Sequence, residues 1–227
     1  MAICEIKGVG KSYGTGPARV EALRDVSLSI EKGEFTVFSG PSGSGKTTLL
    51  NQIGCLDAPS QGELQLNGTS TKTLSSRQLS RLRAETIGFI FQSFNLVPVL
   101  TAVENVELAL ELAGQPDERR ARALKMLADV GLQGLEHRRP NELSGGQQQR
   151  VAIARALVKQ PLIVIADEPT ANLDSQNGEQ ILEIMHRLNV ERGTTFLFSS
   201  HDALVTSRAR RLVSLKDGRI VGDEVRA

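Results

Sequence analysis

A glycine-rich segment constrains the fold and chemistry of this chain more than any other feature. It matches the pattern GxxxxGK[ST] and consists of Gly40, Pro41, Ser42, Gly43, Ser44, Gly45, Lys46 and Thr47. In such a loop the backbone N–H groups turn inward around the phosphates of a nucleotide. Residues 35–38 predict a buried strand before the loop, and residues 47–53 predict a helix whose N-terminus would meet the phosphates. The sequence therefore predicts a nucleotide-binding protein.

Composition narrows the class of protein. A chain of 227 residues, 40% of them hydrophobic, can form one large domain or a domain with an inserted lobe. Its 27 basic and 26 acidic residues nearly cancel, so we expect no nucleic-acid partner. Cys4 and Cys55 fit neither a metal site nor a disulfide framework, which favours the cytosol and inert thiols. No apolar run is long enough to span a bilayer, so any membrane role would come through a partner.

The apolar patterns predict an α/β fold. Continuous apolar runs at residues 87–91, 162–166 and 195–198, with helical patterns between them, predict parallel strands covered on both faces. Alternating apolar residues over 26–30, followed by a turn at 31–34, predict a hairpin of antiparallel strands before the glycine-rich loop. Two further strand-and-turn patterns occur at residues 63–68 and 212–225.

Between residues 94 and 160 the pattern is helical throughout. It includes a capping box at Thr101 and Glu104, and apolar residues at helical spacing over 117–130. We therefore predict a single domain over residues 1–227, with a helical lobe inserted at about residues 94–160.

Two acidic residues follow the apolar run at 162–166. Parallel sheets place their ligands at the carboxyl ends of strands, where Asp167 and Glu168 would lie. In phosphate-loop enzymes the acid at this position holds Mg²⁺ together with the loop hydroxyl, here that of Thr47. Glu168 is then suited to orient a water molecule and accept its proton as general base.

A second preformed anion site occurs further along the chain. Ser144 and the glycines after it precede a helix predicted over residues 148–159, so backbone N–H groups would again face an anion. The sequence thus contains two segments suited to bind the phosphates of one nucleotide.

These motifs together resemble the ATP-binding-cassette family, whose signature LSGGQ stands here as residues 143–147. The resemblance covers essentially the whole chain and implies a phosphate-loop NTPase (RecA-like) core with an antiparallel β subdomain and an inserted helical subdomain. It implies ATP and Mg²⁺ as cofactors and ATP hydrolysis coupled to transport. The matching elements, in order, are Tyr13, residues 40–47, Gln92, residues 143–147, Asp167 with Glu168, residues 171–174, and His201.

The resemblance also implies a role for each matching residue. Tyr13 would stack on adenine, and Thr48 would join the phosphate-binding loop. Gln92 would reach Mg²⁺ and the attacking water, and His201 would contact the γ-phosphate. The implied catalytic residues are Glu168, His201, Gln92 and Lys46, and the implied magnesium ligands are Thr47, Gln92 and Asp167.

By the same resemblance, two copies pair head to tail with two ATP molecules between them. Each ATP would be held by the phosphate loop of one copy and by four signature residues of the other. Those four residues are Ser144, Gly145, Gly146 and Gln147. Asn172 and Asp174 would belong to the loop that joins the two composite sites.

Within the family, residues 54–57, 87–96 and 101–108 look like the group that serves lipoprotein release and macrolide export. This resemblance implies a separate integral membrane subunit and a peripheral location on the cytoplasmic face of the inner membrane. Importers of polar amino acids share residues 94–96 and are the nearest alternative. Cell-division cassettes, which are short single cassettes of a non-transport class, are the other.

Overall fold

The computed structural model describes residues 2–226, which form two compact units. The first contains the residues up to Ser80 and those from Thr195 onward, and the second contains residues 81–194. In chain order the strands are β1 (Ala2–Tyr13), β2 (Val20–Glu31), β3 (Phe35–Ser39), β4 (Gln61–Leu66), β5 (Thr69–Ser70), β6 (Ile87–Ile90), β7 (Ile163–Asp167), β8 (Thr195–Ser199), β9 (Arg211–Lys216) and β10 (Arg219–Val225). The α-helices are α1 (Lys46–Ile53), α2 (Ser76–Thr86), α3 (Ala102–Leu112), α4 (Arg119–Asp129), α5 (Gly145–Leu157), α6 (Ser175–Arg192) and α7 (Ala203–Ser207).

An antiparallel sheet of the first unit has the strand order β2-β1-β4-β5. The prediction that β2 forms a hairpin with the strand after it is wrong. Leu28 lies opposite Ile6 and Ile30 lies opposite Cys4, so the partner of β2 is β1. Alternation identifies the buried face of a strand but not the strand beside it, and β3 belongs to a different sheet.

In that second sheet of the first unit, β3 lies between β8 and β9 and runs parallel to both. Val37 is opposite Phe198 on one side and Leu212 on the other, and β3 is completely buried at Phe35, Val37 and Phe38. The ring centroids of Phe35 and Phe198 are 4.5 Å apart. The parallel arrangement and the C-terminal hairpin of β9 and β10 are as predicted.

The hairpin of β4 and β5 also agrees with its sequence pattern. Its turn residues Asn67 and Gly68 both have positive φ, 46° and 75°, which an Asn-Gly turn tolerates at little cost.

Both cysteines are buried, and burial raises the pKa of the Cys4 thiol to about 12. The nucleophilic thiolate is therefore scarce at Cys4, as expected for an inert thiol.

In the second unit, β6 and β7 are parallel, with Ile87 opposite Ile163. Helices α3, α4 and α5 follow β6, but the first of them begins only at Ala102, so residues 94–101 are irregular instead of helical. The buried Asn105 amide explains this, because it donates to the carbonyls of Val97, Leu100 and Thr101 and so holds the segment in an open turn. The predicted capping box at Thr101 is present. Among the described residues, no helix is both long and apolar enough to cross a membrane.

Candidate nucleotide-binding and catalytic site

The phosphate loop joins β3 to α1 in the first unit, and two of its glycines are required by packing. Gly40 has φ 144° and Gly45 has φ 104°. A Cβ atom on Gly40 would lie 2.1 Å from the Leu215 carbonyl oxygen, and one on Gly45 would lie 2.6 Å from that of Ala22. Both distances are below any normal contact, so only glycine allows the backbone to follow this path.

The polar groups inside the loop fit a phosphate ligand. Lys46 is only 8% exposed, and its ammonium donates to the carbonyl oxygens of Gly40 at 2.7 Å and Pro41 at 3.1 Å. The Ser44 hydroxyl is buried and has no hydrogen-bond partner among the described residues. A buried hydroxyl left in this way costs about 1–3 kcal/mol, which an anionic oxygen as partner would recover. The residues present therefore suit the phosphates of ATP.

No N-cap side chain accepts a hydrogen bond from the backbone N–H groups at the start of helix α1. Its N-cap is Gly45, which makes no side-chain cap, and its first turn contains no acidic residue. The backbone N–H groups and the positive end of the helix dipole are thus left for an anion. Thr47 is exposed on this turn and Thr48 is half-buried.

Tyr13 ends β1 in the same unit and is 44% exposed. Its hydroxyl donates to Asp57 at 2.7 Å, and the Lys11 ammonium lies 5.0 Å from the ring centroid. Part of the ring is therefore open to a stacking partner while the hydroxyl is anchored. The sequence patterns did not indicate this anchor.

The environment of Tyr13 gives a testable pH dependence. Partial burial, followed by the hydrogen bond to Asp57, raises the pKa of the phenol above its ordinary value, although the Thr48 side chain opposes the shift. The folded protein thus holds the proton more tightly than the unfolded chain does. This contribution to stability is complete below the ordinary pKa of tyrosine and is lost as the pH rises through the raised value.

Because Tyr13 is the single tyrosine, the tyrosinate absorption reports on it alone. We expect the phenol of the folded protein to titrate at higher pH than that of the urea-unfolded chain. The variant Tyr13→Phe is the blank, since it has no phenol. A folded-state titration at or below the unfolded value would contradict the anchored position of the hydroxyl.

His201 lies just after the carboxyl end of β8, and its side chain is exposed. The strand β8 is the parallel neighbour of β3, which leads into the phosphate loop. Parallel neighbours end at the same edge of a sheet, so His201 and the loop occupy that edge together. The turn is fixed because the Asp202 backbone N–H donates to the Ser200 hydroxyl.

In the second unit, Asp167 is the last residue of β7 and Glu168 follows it. Both are half-buried, and Glu168 has φ 44°, a left-handed conformation that is uncommon for a residue other than glycine. Such strained residues cluster at active sites, where the surrounding structure holds them. Here the buried Gln149 amide donates to the carbonyl of Pro169 at 2.6 Å, next to Glu168.

The signature residues form the start of α5. This helix begins at Gly145, three positions before its predicted start, so both glycines lie in its first turn. The Gln147 backbone N–H donates to the Ser144 hydroxyl at 3.3 Å, and the Ser144 N–H donates to the Gln147 side chain at 2.9 Å. The Ser144 oxygen accepts in this capping box, so its own proton is not used there. A Cβ on Gly146 would lie 2.7 Å from the Asn177 side-chain oxygen, so a larger residue there would displace that amide.

The segment after β6 is tied to two other parts of the second unit. The Asn172 amide donates to the Gln92 carbonyl at 3.0 Å, while the Gln92 side chain is exposed. The Arg155 guanidinium donates to the carbonyls of Phe94 and Asn95, both of which have positive φ. Asp174 caps α6 as expected, and the hydrogen bond from the Asn177 N–H lowers the pKa of its carboxyl. The motifs identified from the sequence did not predict the hydrogen bonds that Arg155 donates to Phe94 and Asn95.

The structure thus places the predicted residues in two groups. Tyr13, the phosphate loop and His201 lie in the first unit, and Gln92, Asp167, Glu168, Asn172, Asp174 and the signature residues lie in the second.

Comparison with known proteins identifies the family. The model of the family described as "ABC transporter" matches residues 23–171. An uncharacterized ABC transporter ATP-binding protein of Thermotoga maritima is 48% identical over 225 residues, which are 99% of this chain and 96% of that protein. The macrolide export ATP-binding/permease protein MacB of Mannheimia succiniciproducens is also 48% identical, over 98% of this chain. The chain spans only 35% of that MacB protein, about a third of its length.

A solved structure agrees with these relatives. The ATP-binding cassette MJ0796, solved as a dimer in a post-hydrolysis state with ADP and Pi, is 46% identical and superposes with a TM-score of 0.90 over 98% of each chain. This likeness confirms the predicted α/β phosphate-loop NTPase fold. The chain belongs to the ABC transporter family.

Proposed function

We propose that the chain is the ATP-binding and ATP-hydrolysing subunit of a transporter and that it dimerises on ATP to drive a membrane subunit. The observation that carries this proposal is the phosphate loop itself, with Lys46 buried inside it and the Ser44 hydroxyl without a partner. The related cassette MJ0796 supports it, since ADP and Pi are the products of ATP hydrolysis.

In this proposal the phosphate loop and Lys46 hold the phosphates, and Tyr13 stacks on adenine. Thr47, Gln92 and Asp167 would hold Mg²⁺, which would supply charge neutralisation at the phosphates. Hydroxyl, amide and carboxylate oxygens are the ligand types that Mg²⁺ prefers.

Hydrolysis needs a water molecule aligned with the γ-phosphate and a base to take its proton. Glu168 serves as that base, because it directly follows Asp167 at the carboxyl end of β7, the end of a parallel strand at which ligands bind. His201 contacts the γ-phosphate and keeps Glu168 and the water in position. The rate gain comes from positioning and charge stabilisation, as in other phosphoryl transfers.

A second copy completes each site. Ser144, Gly145, Gly146 and Gln147 form the capped start of α5, and its uncommitted N–H groups and Ser144 proton suit the γ-phosphate of the other copy. Asn172 and Asp174 then lie where the two sites meet. ATP joins the two copies and ADP does not, so hydrolysis loosens the dimer and changes its conformation.

The membrane subunit defines the type of transporter. We favour the lipoprotein-release or macrolide/peptide-export type, because a MacB relative that is 48% identical to this chain is named as a macrolide export ATP-binding/permease protein. This chain would work as a peripheral protein on the cytoplasmic face of the inner membrane. The alternative functions are those of a polar amino-acid importer and of a cell-division cassette.

Affinity capture tests this assignment. Tagged Glu168→Gln chain is incubated with MgATP in detergent-solubilised membranes of the source organism, and the retained proteins are identified by mass spectrometry. The proposal predicts a membrane protein with few spans and a large extracytoplasmic domain, retained with ATP but not without it. A permease with many spans would replace the export type by the importer type, and division proteins without a transporter would contradict the transport role.

A further inference from the structure

The ring of Tyr13 is held by a cluster of polar side chains within the first unit. The Asp57 carboxylate accepts three hydrogen bonds, from the Tyr13 hydroxyl at 2.7 Å, from the Lys11 ammonium at 2.5 Å and from the Ala58 backbone N–H at 2.8 Å. Lys11 donates in addition to the Ala58 carbonyl at 2.7 Å. Each charged group of the cluster therefore has several partners, and the cluster has one arrangement.

The cluster is shielded from solvent more than an ordinary surface ion pair. The side chains of Lys11 and Asp57 are 12% and 28% exposed. Solvent screens such a pair less than it screens an exposed pair, so the geometry is held more firmly. Although burial opposes the change, the hydrogen bonds from Lys11 and Tyr13 hold the pKa of Asp57 below its usual range. The Asp57 carboxylate therefore stays charged and continues to accept the hydrogen bond from the Tyr13 hydroxyl.

The same cluster limits the side from which a partner can reach the ring. The Lys11 ammonium stands over the ring, 5.0 Å from its centroid, and so occupies one face. Tyr13 is 44% exposed in total, so a flat partner that stacks on the ring would use the face away from Lys11. The Thr48 side chain on α1 lies close enough to the Tyr13 hydroxyl to oppose the rise in its pKa, so the ring lies beside the helix that begins at the phosphate loop.

A tethered ring binds a base more tightly than a free one. An unanchored tyrosine loses rotamer entropy when a nucleobase stacks on it, and this loss weakens binding. A ring already held at a fixed position relative to the phosphate loop avoids that loss. The span between the stacking surface and the phosphate cradle is then set before the nucleotide arrives.

We propose that Asp57, itself held by Lys11, is a positioning residue that raises the affinity for nucleotide by fixing the ring of Tyr13. The inference rests on the proposed function, in which Tyr13 stacks on the base of ATP. It predicts that Asp57 acts on the base and not on the phosphates.

Comparing two ligands separates the contribution of the base from that of the phosphates. Isothermal titration calorimetry measures the affinity of wild type, Tyr13→Ala and Asp57→Ala for MgATP and for magnesium tripolyphosphate, which has no base. We expect Asp57→Ala to weaken MgATP binding about 3- to 10-fold and Tyr13→Ala about 10-fold or more, with tripolyphosphate affinity unchanged in both. In steady-state assays the Asp57→Ala defect should appear in the KM for ATP more than in kcat.

A double-mutant cycle tests whether Asp57 acts through the phenol. In Tyr13→Phe the hydroxyl is absent, so adding Asp57→Ala should weaken MgATP binding by less than it does in wild type. Glu5→Gln is the matched control, because it removes a carboxylate from the exposed pair with Lys7 on the same strand. This control should bind both ligands as wild type does.

Intrinsic fluorescence gives a further readout, since the chain has one tyrosine and no tryptophan. MgATP should change the Tyr13 emission of wild type, and tripolyphosphate should leave it unchanged. Wild-type MgATP affinity in Asp57→Ala together with a loss in Tyr13→Ala would overturn the role of Asp57 and leave the proposed function standing. Equal losses for both ligands in Asp57→Ala would also overturn it. Absence of MgATP binding by wild type would instead remove the proposed function.

Discussion

The variant Glu168→Gln should bind MgATP as wild type does and hydrolyse it at least about 100-fold more slowly. Glutamine keeps the size of the side chain and its hydrogen-bonding reach, but it cannot accept the proton of the attacking water. The ATP that joins the two copies then persists, so the protein should accumulate as a stable dimer. Phosphate release and light scattering after size-exclusion chromatography measure the two effects.

The matched control is Glu179→Gln on α6, which removes an exposed carboxylate of the same unit. It should hydrolyse ATP and exchange between monomer and dimer as wild type does. Normal turnover in Glu168→Gln would remove Glu168 as the general base, whatever the state of the dimer.

The variant Ser144→Arg should leave ATP binding to the monomer intact while dimerisation and turnover are lost. Ser144 is the N-cap of α5 and the first of the residues proposed to meet the partner's γ-phosphate. A long arginine side chain would occupy the space where the partner's loop and nucleotide come in. The phosphate loop of the same chain lies in the other unit and keeps its own contacts.

A second substitution separates this effect from damage to the helix. Loss of the cap alone costs about 1 kcal/mol, whereas aspartate is as good an N-cap as serine. The variant Ser144→Asp therefore keeps α5 capped but places a negative charge against the γ-phosphate, and it should also fail to dimerise. Unchanged turnover in Ser144→Arg would refute the shared site.

Local patterns in the sequence predicted those parts of the fold that depend on nearby residues. The phosphate loop, the caps at Thr101 and Ser144, and the turn at Asn67 each depend on side chains within a few positions of one another. The pairing of β2 with β1, the strand before it, and not with β3, the strand after it, is not local information of this kind, and alternation says nothing about it. Helix α2 was not predicted; most of its residues are polar or charged, and none of them is buried.

The same limit applies to the site. The motifs indicated the chemical groups, namely Lys46, Glu168 and Ser144, since their chemistry requires those residue types at fixed spacing. The groups that hold them were not apparent. Asp57 lies 44 positions from Tyr13, and Arg155 lies 61 positions from Phe94. Contacts over such separations arise from the fold and leave no pattern in a single sequence.

Inter-chain cross-linking tests most directly whether each ATP is held between two copies of the chain. In the Glu168→Gln background, one tagged chain carries Ser42→Cys and a differently tagged chain carries Ser144→Cys. The mixture is treated with a short thiol-specific cross-linker, with and without MgATP. The parent chain is the control, because its two cysteines are buried. We predict a product that contains both tags and forms only with MgATP. Absence of that product, or cross-linking only within a single chain that carries both substitutions, would contradict the account.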